Sequence, residues 1–175
     1  SLDPAIIARL YAHSWTGLRL LAVPADDGFN SGLRPDSLTG LNLTIFHPAP
    51  RAIRSRFGVS SAQVEGRLVL NAHAPSELTL PAPPGARHIH AIVGLPDASF
   101  AANRPAVTDG ITIEIFAEAP GGLKHLLYHR RLDPAHVPSD RGPQTIDLDE
   151  PGSLPGDVTF RLGNGPANDA TNDWA

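Results

Sequence analysis

The sequence predicts an all-β fold, a jelly-roll-like antiparallel β-sandwich with a short N-terminal helix. The 175 residues include 18 Pro and 16 Gly, a content that suits short strands joined by loops and disfavours long helices. Several segments alternate apolar and polar residues with period two, which is typical of half-buried strands. Clusters of turn-forming residues separate these segments. The length falls within the usual range of about 100–200 residues for one domain, so a single domain is expected over residues 1–175.

The N-terminal third is expected to begin with a helix over residues 3–13, where apolar residues recur at helical spacing after an Asp-Pro pair that suits a helix start. A buried strand is predicted over residues 16–23, followed by a loop of turn formers over residues 24–32. The next strand is predicted over residues 41–46. Residues 51–57 contain three arginines, and we interpret them as an edge strand with its basic side chains facing outward.

The rest of the chain is predicted to form seven further strands, and together with the preceding ones they suit two packed sheets with Greek-key or jelly-roll connections. They are expected at residues 64–72, 77–80, 89–95, 111–117, 124–132, 144–148 and 156–162. In the last of these, Val158, Phe160 and Leu162 alternate with polar residues. One face of this strand is therefore expected to be buried and the other solvated.

The composition bears on the class of partner and on the compartment. The net charge is −4 and the basic residues are scattered, so nucleic acid is not an expected partner. The chain has no Cys, which excludes disulfides and cysteine-based zinc sites. It has no apolar run of the roughly 20 residues that a membrane-spanning helix needs. The absence of Met and the position of Trp174 beside the last residue predict that the chain is a piece of a longer protein.

Short motifs follow one another in a characteristic order between residues 78 and 175. They are Leu78-Thr-Leu-Pro, Ile92-Val-Gly-Leu, Thr108-Asp-Gly-Ile-Thr-Ile, Arg131-Leu-Asp-Pro, Asp140-Arg-Gly-Pro-Gln, Asp147-Leu and Asp173-Trp-Ala. Their order and spacing resemble the extracytoplasmic jelly-roll domains of large bacterial polytopic membrane proteins, many of them grouped with the glycosyltransferases. They are more distantly similar to carbohydrate-binding modules of the NPCBM and galactose-binding-like type.

This resemblance implies a non-catalytic accessory or interaction domain of a bacterial envelope or membrane protein. It places the domain outside the cytoplasmic membrane, in the periplasm or at the cell surface, as a soluble part of its parent. The implied partners are the rest of the parent membrane protein and a saccharide. Two alternatives stay open: a dedicated carbohydrate-binding module and a glycoside-active enzyme.

The candidate ligand-binding residues are Asp109, Asp140, Arg141 and Trp174. Asp140 and Arg141 could clamp a carboxylate or a sugar hydroxyl, because a guanidinium offers a bidentate fork. The alternative is an ion pair that only fixes their loop. Asp109, together with Asp140 or Asp169, could hold Ca²⁺, which takes six to eight oxygen ligands. The alternative is that Asp109-Gly110 simply forms a tight turn, and we favour it.

The polar tail offers a second set of oxygen ligands. Its amide and carboxylate side chains are Asn164, Asn168, Asp169, Asn172 and Asp173. Asp169 and Asp173 are the candidate Ca²⁺ ligands, and a structural Ca²⁺ is the one cofactor we consider. The alternative is a solvated polar loop capped by Trp174.

The sequence contains two further groups of titratable residues that bear on function. His88 and His90 lie on one face of a predicted strand and could bind a metal together with His47, His73, His125 or His129. We favour the alternative that they are solvent-facing or hydrogen-bonded histidines. Glu114, Glu118, Asp109 or Asp133 could supply the paired carboxylates of a glycosidase, but we favour the alternative that Glu114 and Glu118 are solvent-facing residues on one strand face. Neither a nucleophile elbow nor a phosphate-binding loop is present, so no catalytic residue is assigned.

Overall fold

The computed structural model describes residues 34–35, 50–64, 66–101, 107–119, 122–168 and 173. These ranges contain ten strands and two short 3₁₀ helices, Asp97–Ser99 and Pro138–Asp140. The strands are β1 (Arg34–Pro35), β2 (Ala52–Ser55), β3 (Val59–Val64), β4 (Arg67–Ala72), β5 (Ser76–Pro81), β6 (His88–Val93), β7 (Ile111–Glu118), β8 (Lys124–Leu132), β9 (Gln144–Asp149) and β10 (Asp157–Asn164). The prediction of an all-β sandwich is confirmed. The predicted helix over residues 3–13 and the strands over 16–23 and 41–46 lie outside the described residues.

The strands form one large sheet and two ribbons, and every pairing is antiparallel. The six-stranded sheet has the order β1-β2-β5-β10-β7-β8, while β3 pairs with β4 and β6 pairs with β9. One apolar core joins these units. Phe160 and Ile113 of the large sheet belong to the same buried cluster as Ile89 and Val93 of β6 and Leu70 of β4. Burial of these side chains is what holds the sheets together. Within the described ranges there is no helix of the length and apolarity that a bilayer crossing requires.

Two predicted strand assignments need correction. The segment 51–57 is not an edge strand, because β2 lies between β1 and β5. The predicted strand over residues 64–72 is only the second half of a hairpin, whose first half is β3. Gly66 lies in the turn with φ of 73°, a left-handed conformation that glycine adopts without steric cost. The polar β3 sequence has too few apolar residues to reveal this strand by its periodicity.

The central strand β10 also differs from the prediction, because both of its faces are buried. Thr159 and Arg161, on the face expected to be solvated, are only 1% and 3% exposed. Glu114 of the neighbouring β7 is buried as well, at 5% exposure, so the expectation of a solvent-facing Glu114 is wrong. Period-two alternation shows which residues share a face, but it does not show whether the polar face is covered.

The Asp109-Gly110 dipeptide does not connect a hairpin. The strand before it, β6, pairs with β9, and the strand after it, β7, pairs with β8 and β10. Gly110 has φ of 101°, and a Cβ at this position would overlap the Leu132 carbonyl oxygen. Glycine is therefore required here by both the backbone conformation and the close approach of β8.

Candidate functional site

The candidate site lies where the Thr108–Gly110 turn meets the end of β10. One carboxylate oxygen of Asp109, Oδ2, accepts a hydrogen bond of 2.6 Å from the backbone N–H of Ala167. The other oxygen, Oδ1, is buried and has no hydrogen-bond partner among the described residues. A Cβ at Gly165 would overlap this carboxylate, so Asp109 packs directly against the backbone that follows β10.

Asp173 lies at the same turn. It is fully buried, and Thr108 Oγ1 donates a hydrogen bond of 2.5 Å to Asp173 Oδ1. The same hydroxyl accepts the N–H of Gly110 at 2.9 Å, and the Asp173 carbonyl oxygen accepts the N–H of Ala74 at 3.0 Å. Thr108 therefore links Asp173 to the turn that carries Asp109.

Asn164, the last residue of β10, supplies a second buried oxygen. Its Nδ2 donates to Asn168 Oδ1 at 3.1 Å. Its Oδ1 is buried and has no hydrogen-bond partner in the described part of the chain. An unpaired buried polar atom costs free energy, so native proteins satisfy such atoms with water or an ion. Carboxylate and amide oxygens are the ligands that Ca²⁺ prefers, so Asp109 and Asn164 fit this ion. Asp169 and Trp174 lie outside the described residues.

Asp140 and Arg141 bond to residues of β8 and of the segment that follows it. Asp140 is buried; its Oδ1 accepts from Arg130 Nη2 at 2.8 Å and its Oδ2 accepts from the N–H of Asp133 at 2.9 Å. Arg141 Nε donates to the Pro134 carbonyl oxygen at 2.8 Å. These bonds hold the segment between β8 and β9 in place. The geometry is that of the loop-fixing alternative considered from the sequence.

A second feature is a row of charged residues that runs across the large sheet, here called the ionic row. Arg54, Glu77, Arg161, Glu114 and His129 lie directly opposite one another on five adjacent strands. Arg161 Nε is 2.5 Å from Glu77 Oε1, and Arg54 Nη1 is 3.4 Å from Glu77 Oε2. The signs alternate from Arg54 through Glu77 and Arg161 to Glu114, which is the favourable cross-strand arrangement. Sequence reasoning missed the row, because it depends on the pairing register of five strands.

Glu114 is the most perturbed acid of the ionic row. Burial raises the pKa of Glu114 above its usual value of 4.5, while the charges of His129 and Arg161 lower it less. The His129 Nε2 is 4.0 Å from Glu114 Oε1. The other carboxylate oxygen, Oε2, is buried without a hydrogen-bond partner among the described residues. This environment favours a protonated carboxyl over a wider pH range than in water.

We expect Glu114→Gln to change the pH dependence of stability. Because the folded-state pKa is raised, the stability that the protonated Glu114 provides is complete below about pH 4.5 and is lost as pH rises through the folded-state pKa. Glutamine cannot ionise, so the stability of the variant relative to the wild type should increase as pH rises from 4.5 to 7. Urea unfolding across this range measures the difference.

The matched control is Glu118→Gln, which changes a half-exposed glutamate on the same strand. The stability difference between this variant and the wild type should vary little with pH. A Glu114→Gln difference that is the same at pH 4.5 and pH 7 would contradict the proposed burial of the charge.

His88 and His90 are hydrogen-bonded histidines on one face of β6, as in the alternative favoured from the sequence. His88 and His90 lie on β6 and are hydrogen-bonded to Asp149 and Asp147 of β9 rather than to other histidines. The hydrogen bond from His90 is the main cause that lowers the pKa of Asp147. His73 is buried elsewhere, with Nδ1 2.7 Å from the Ala74 carbonyl oxygen, and burial lowers the pKa of His73.

Comparison with known proteins adds no assignment to this geometry. No protein-family model matches the chain. A search of curated proteins also finds no match. The structure therefore defines the protein only by its fold class, an antiparallel all-β sandwich.

Proposed function

We propose that the chain is a non-catalytic accessory domain of a bacterial envelope protein, with a loop end that Ca²⁺ stabilises. The proposed Ca²⁺ site is supported by two buried oxygen atoms, Asp109 Oδ1 and Asn164 Oδ1. Neither has a hydrogen-bond partner in the described ranges. Both lie where the Thr108–Gly110 turn meets the end of β10. Weak Ca²⁺ sites of this oxygen-only kind are typical of extracellular modules.

Ca²⁺ would stabilise the domain by two physical effects. It would place a positive charge beside the buried Oδ1 of the Asp109 carboxylate, and it would replace the hydration lost by the Asn164 carbonyl oxygen. Asp173 is already tied to the turn through Thr108, and Asp169 of the same tail is the further ligand that the sequence suggests. The bound ion would thus join the C-terminal tail to the sheet.

The accessory role is supported by what the charged side chains do. Asp140 is bonded to Arg130 of β8 and Arg141 to the Pro134 carbonyl oxygen, and Glu77 and Arg161 are bonded to each other inside the ionic row. These groups serve to hold the scaffold rigid. A rigid domain in which such charged side chains bond to other groups of the same domain suits the positioning of a larger parent protein. This is the role that the resemblance implies.

A dedicated carbohydrate-binding module is the second candidate, and one observation favours it. The Phe57 ring is 49% exposed, with the Arg56 guanidinium 5.2 Å from its centroid. The buried His73 packs against the same ring edge-on, with centroids 4.7 Å apart. An exposed aromatic ring that is held in place beside a polar donor suits stacking on a sugar.

Thermal unfolding with added CaCl₂, with EDTA and with bacterial envelope saccharides tests both candidates. A ligand at about 100 times its dissociation constant should stabilise the fold by roughly 2.7 kcal/mol. We expect Ca²⁺ to raise the melting temperature of the wild type. The variant Asp109→Asn should lose most of this increase, because it removes the anionic ligand.

The control is Asp97→Asn, which changes an exposed aspartate in a 3₁₀ helix and should respond to Ca²⁺ like the wild type. An unchanged melting temperature in Ca²⁺, or an equal response in Asp109→Asn, would overturn the calcium proposal. A saccharide-induced increase that disappears in Phe57→Ala would instead establish the carbohydrate-binding module.

A further inference from the structure

The β6–β9 ribbon carries two histidines opposite two aspartates. In the antiparallel register His88 faces Asp149 and His90 faces Asp147. Residues two apart on a strand point to the same side, so these four side chains share one surface of the ribbon. None of them belongs to the loop end proposed to bind Ca²⁺.

We propose that His88, His90 and Asp147 bind a divalent transition-metal ion, with Zn²⁺ as the ion that the ligand set fits best. One ligand atom from each residue lies within 4.8 Å of the others. His88 Nε2 is 3.5 Å from Asp147 Oδ1. Two ligands of a tetrahedral Zn²⁺, each about 2.0–2.1 Å from the metal, lie roughly 3.4 Å apart. The observed separation therefore matches the span that the ion requires.

The second aspartate orients one of the ligands. His88 Nδ1 is 2.8 Å from Asp149 Oδ1. With the proton on Nδ1 this atom donates to the carboxylate, which leaves the Nε2 lone pair directed toward Asp147. Zinc-binding histidines in proteins commonly donate their second ring N–H to a carboxylate in this way. Asp149 is thus a positioning residue for the site, and Asp147 is a metal ligand.

His90 needs a small adjustment to complete the site. Its Nδ1 is 2.5 Å from Asp147 Oδ1, a hydrogen-bonding distance that must widen when both atoms bind a metal. The adjustment involves only side chains at the surface, where Asp147 is 53% exposed and His90 is 23% exposed. The His88 and His90 rings are already nearly parallel, with an interplanar angle of 19°. The metal would replace the hydrogen bond with two coordinate bonds.

The ligand types distinguish this site from the proposed calcium site. Imidazole nitrogen suits Zn²⁺ and its first-row neighbours, whereas Ca²⁺ takes oxygen ligands almost exclusively. Three protein ligands leave a fourth tetrahedral position for water. Because His88 is 45% exposed, that position faces solvent, and a donor group of a partner molecule can reach it.

Isothermal titration of the full 175-residue chain with ZnCl₂, in the absence of a histidine tag, tests the proposal. We expect one equivalent to bind. The substitutions His90→Ala and Asp147→Asn should each weaken binding at least tenfold, and Asp149→Asn should weaken it about 10- to 100-fold, as for other outer ligands of metal-bound histidines. Binding of Co²⁺ should give a visible absorption spectrum that the His90→Ala variant loses.

The matched control is His136→Ala. His136 forms the same kind of surface histidine–carboxylate pair, with Nδ1 2.8 Å from Asp133 Oδ1, but within the described ranges it belongs to no group of three metal-ligating side chains. This variant should bind Zn²⁺ like the wild type. The absence of stoichiometric binding, or an equal loss of affinity in His136→Ala and His90→Ala, would overturn the proposal. Because excess Ca²⁺ should not displace Zn²⁺, the result is independent of the proposed calcium site.

Discussion

Arg161→Met should lower the free energy of unfolding by about 3–5 kcal/mol, one of the two largest effects expected for this protein. Arg161 and Glu77 form an ion pair in which the side chains are only 4% and 6% exposed. The substitution keeps most of the apolar stem, but it leaves the Glu77 carboxylate in a buried setting with a weaker partner in Arg54, 3.4 Å away. Removing one member of a buried pair is costly because the remaining charge stays desolvated.

Urea or guanidinium unfolding at neutral pH measures this loss. The control is Lys124→Met, which breaks the longer and more exposed Lys124–Glu118 contact of 3.9 Å. This control should change stability by at most about 1 kcal/mol. The double substitution Glu77→Leu with Arg161→Met should recover part of the loss, since it removes both buried charges. A single Arg161→Met variant as stable as the wild type would show that the ionic row is not a structural requirement.

Phe160→Ala should also lose about 3–5 kcal/mol, for a different physical reason. The Phe160 side chain is completely buried at the centre of the large sheet, opposite Leu78 on β5 and Ile115 on β7. Truncation removes the buried apolar area and leaves a cavity that the three central strands cannot close without distorting their pairing. The midpoint of denaturant unfolding should fall while the fold is retained.

The control for this prediction is Leu126→Ala, which truncates an apolar side chain that is 50% exposed on the edge strand β8. Its effect should stay within about 0.5 kcal/mol. Comparable losses in the two variants would mean that the core does not lie between the large sheet and the ribbons.

Several strands were predictable because their signals are local. The prediction for residues 124–132 agrees with β8 in both of its ends, and those for 111–117 and 144–148 differ from β7 and β9 by a single residue. In these places an alternating or apolar run lies between turn formers, and a few neighbouring residues suffice to define the strand. The hairpin of β3 and β4 was only half predicted, because the polar β3 has little apolar periodicity.

The sequence predicted which kinds of residue form the candidate site, but it did not predict how they are arranged in space. The sequence singled out Asp109 and Asp173 as oxygen ligands, and the structure brings both to one turn through Thr108. It also singled out His88 and His90, but their partners Asp147 and Asp149 come from a strand more than fifty residues away. The kinds of side chain can be read from the sequence, whereas the meeting of those side chains in space depends on which strands pair.

The sequence by itself determined the all-β class, the positions of most strands after residue 66 and the kinds of side chain available for binding. Only the tertiary structure decided that β10 is buried on both faces, that β6 pairs with β9, and that Arg161 lies between Glu77 and Glu114. The physical reason is the range of the interactions. Turn preferences and side-chain alternation act between near neighbours along the chain. Strand register, burial of a second face and ion pairing result from contacts between distant segments, and these are selected by the packing of the whole core.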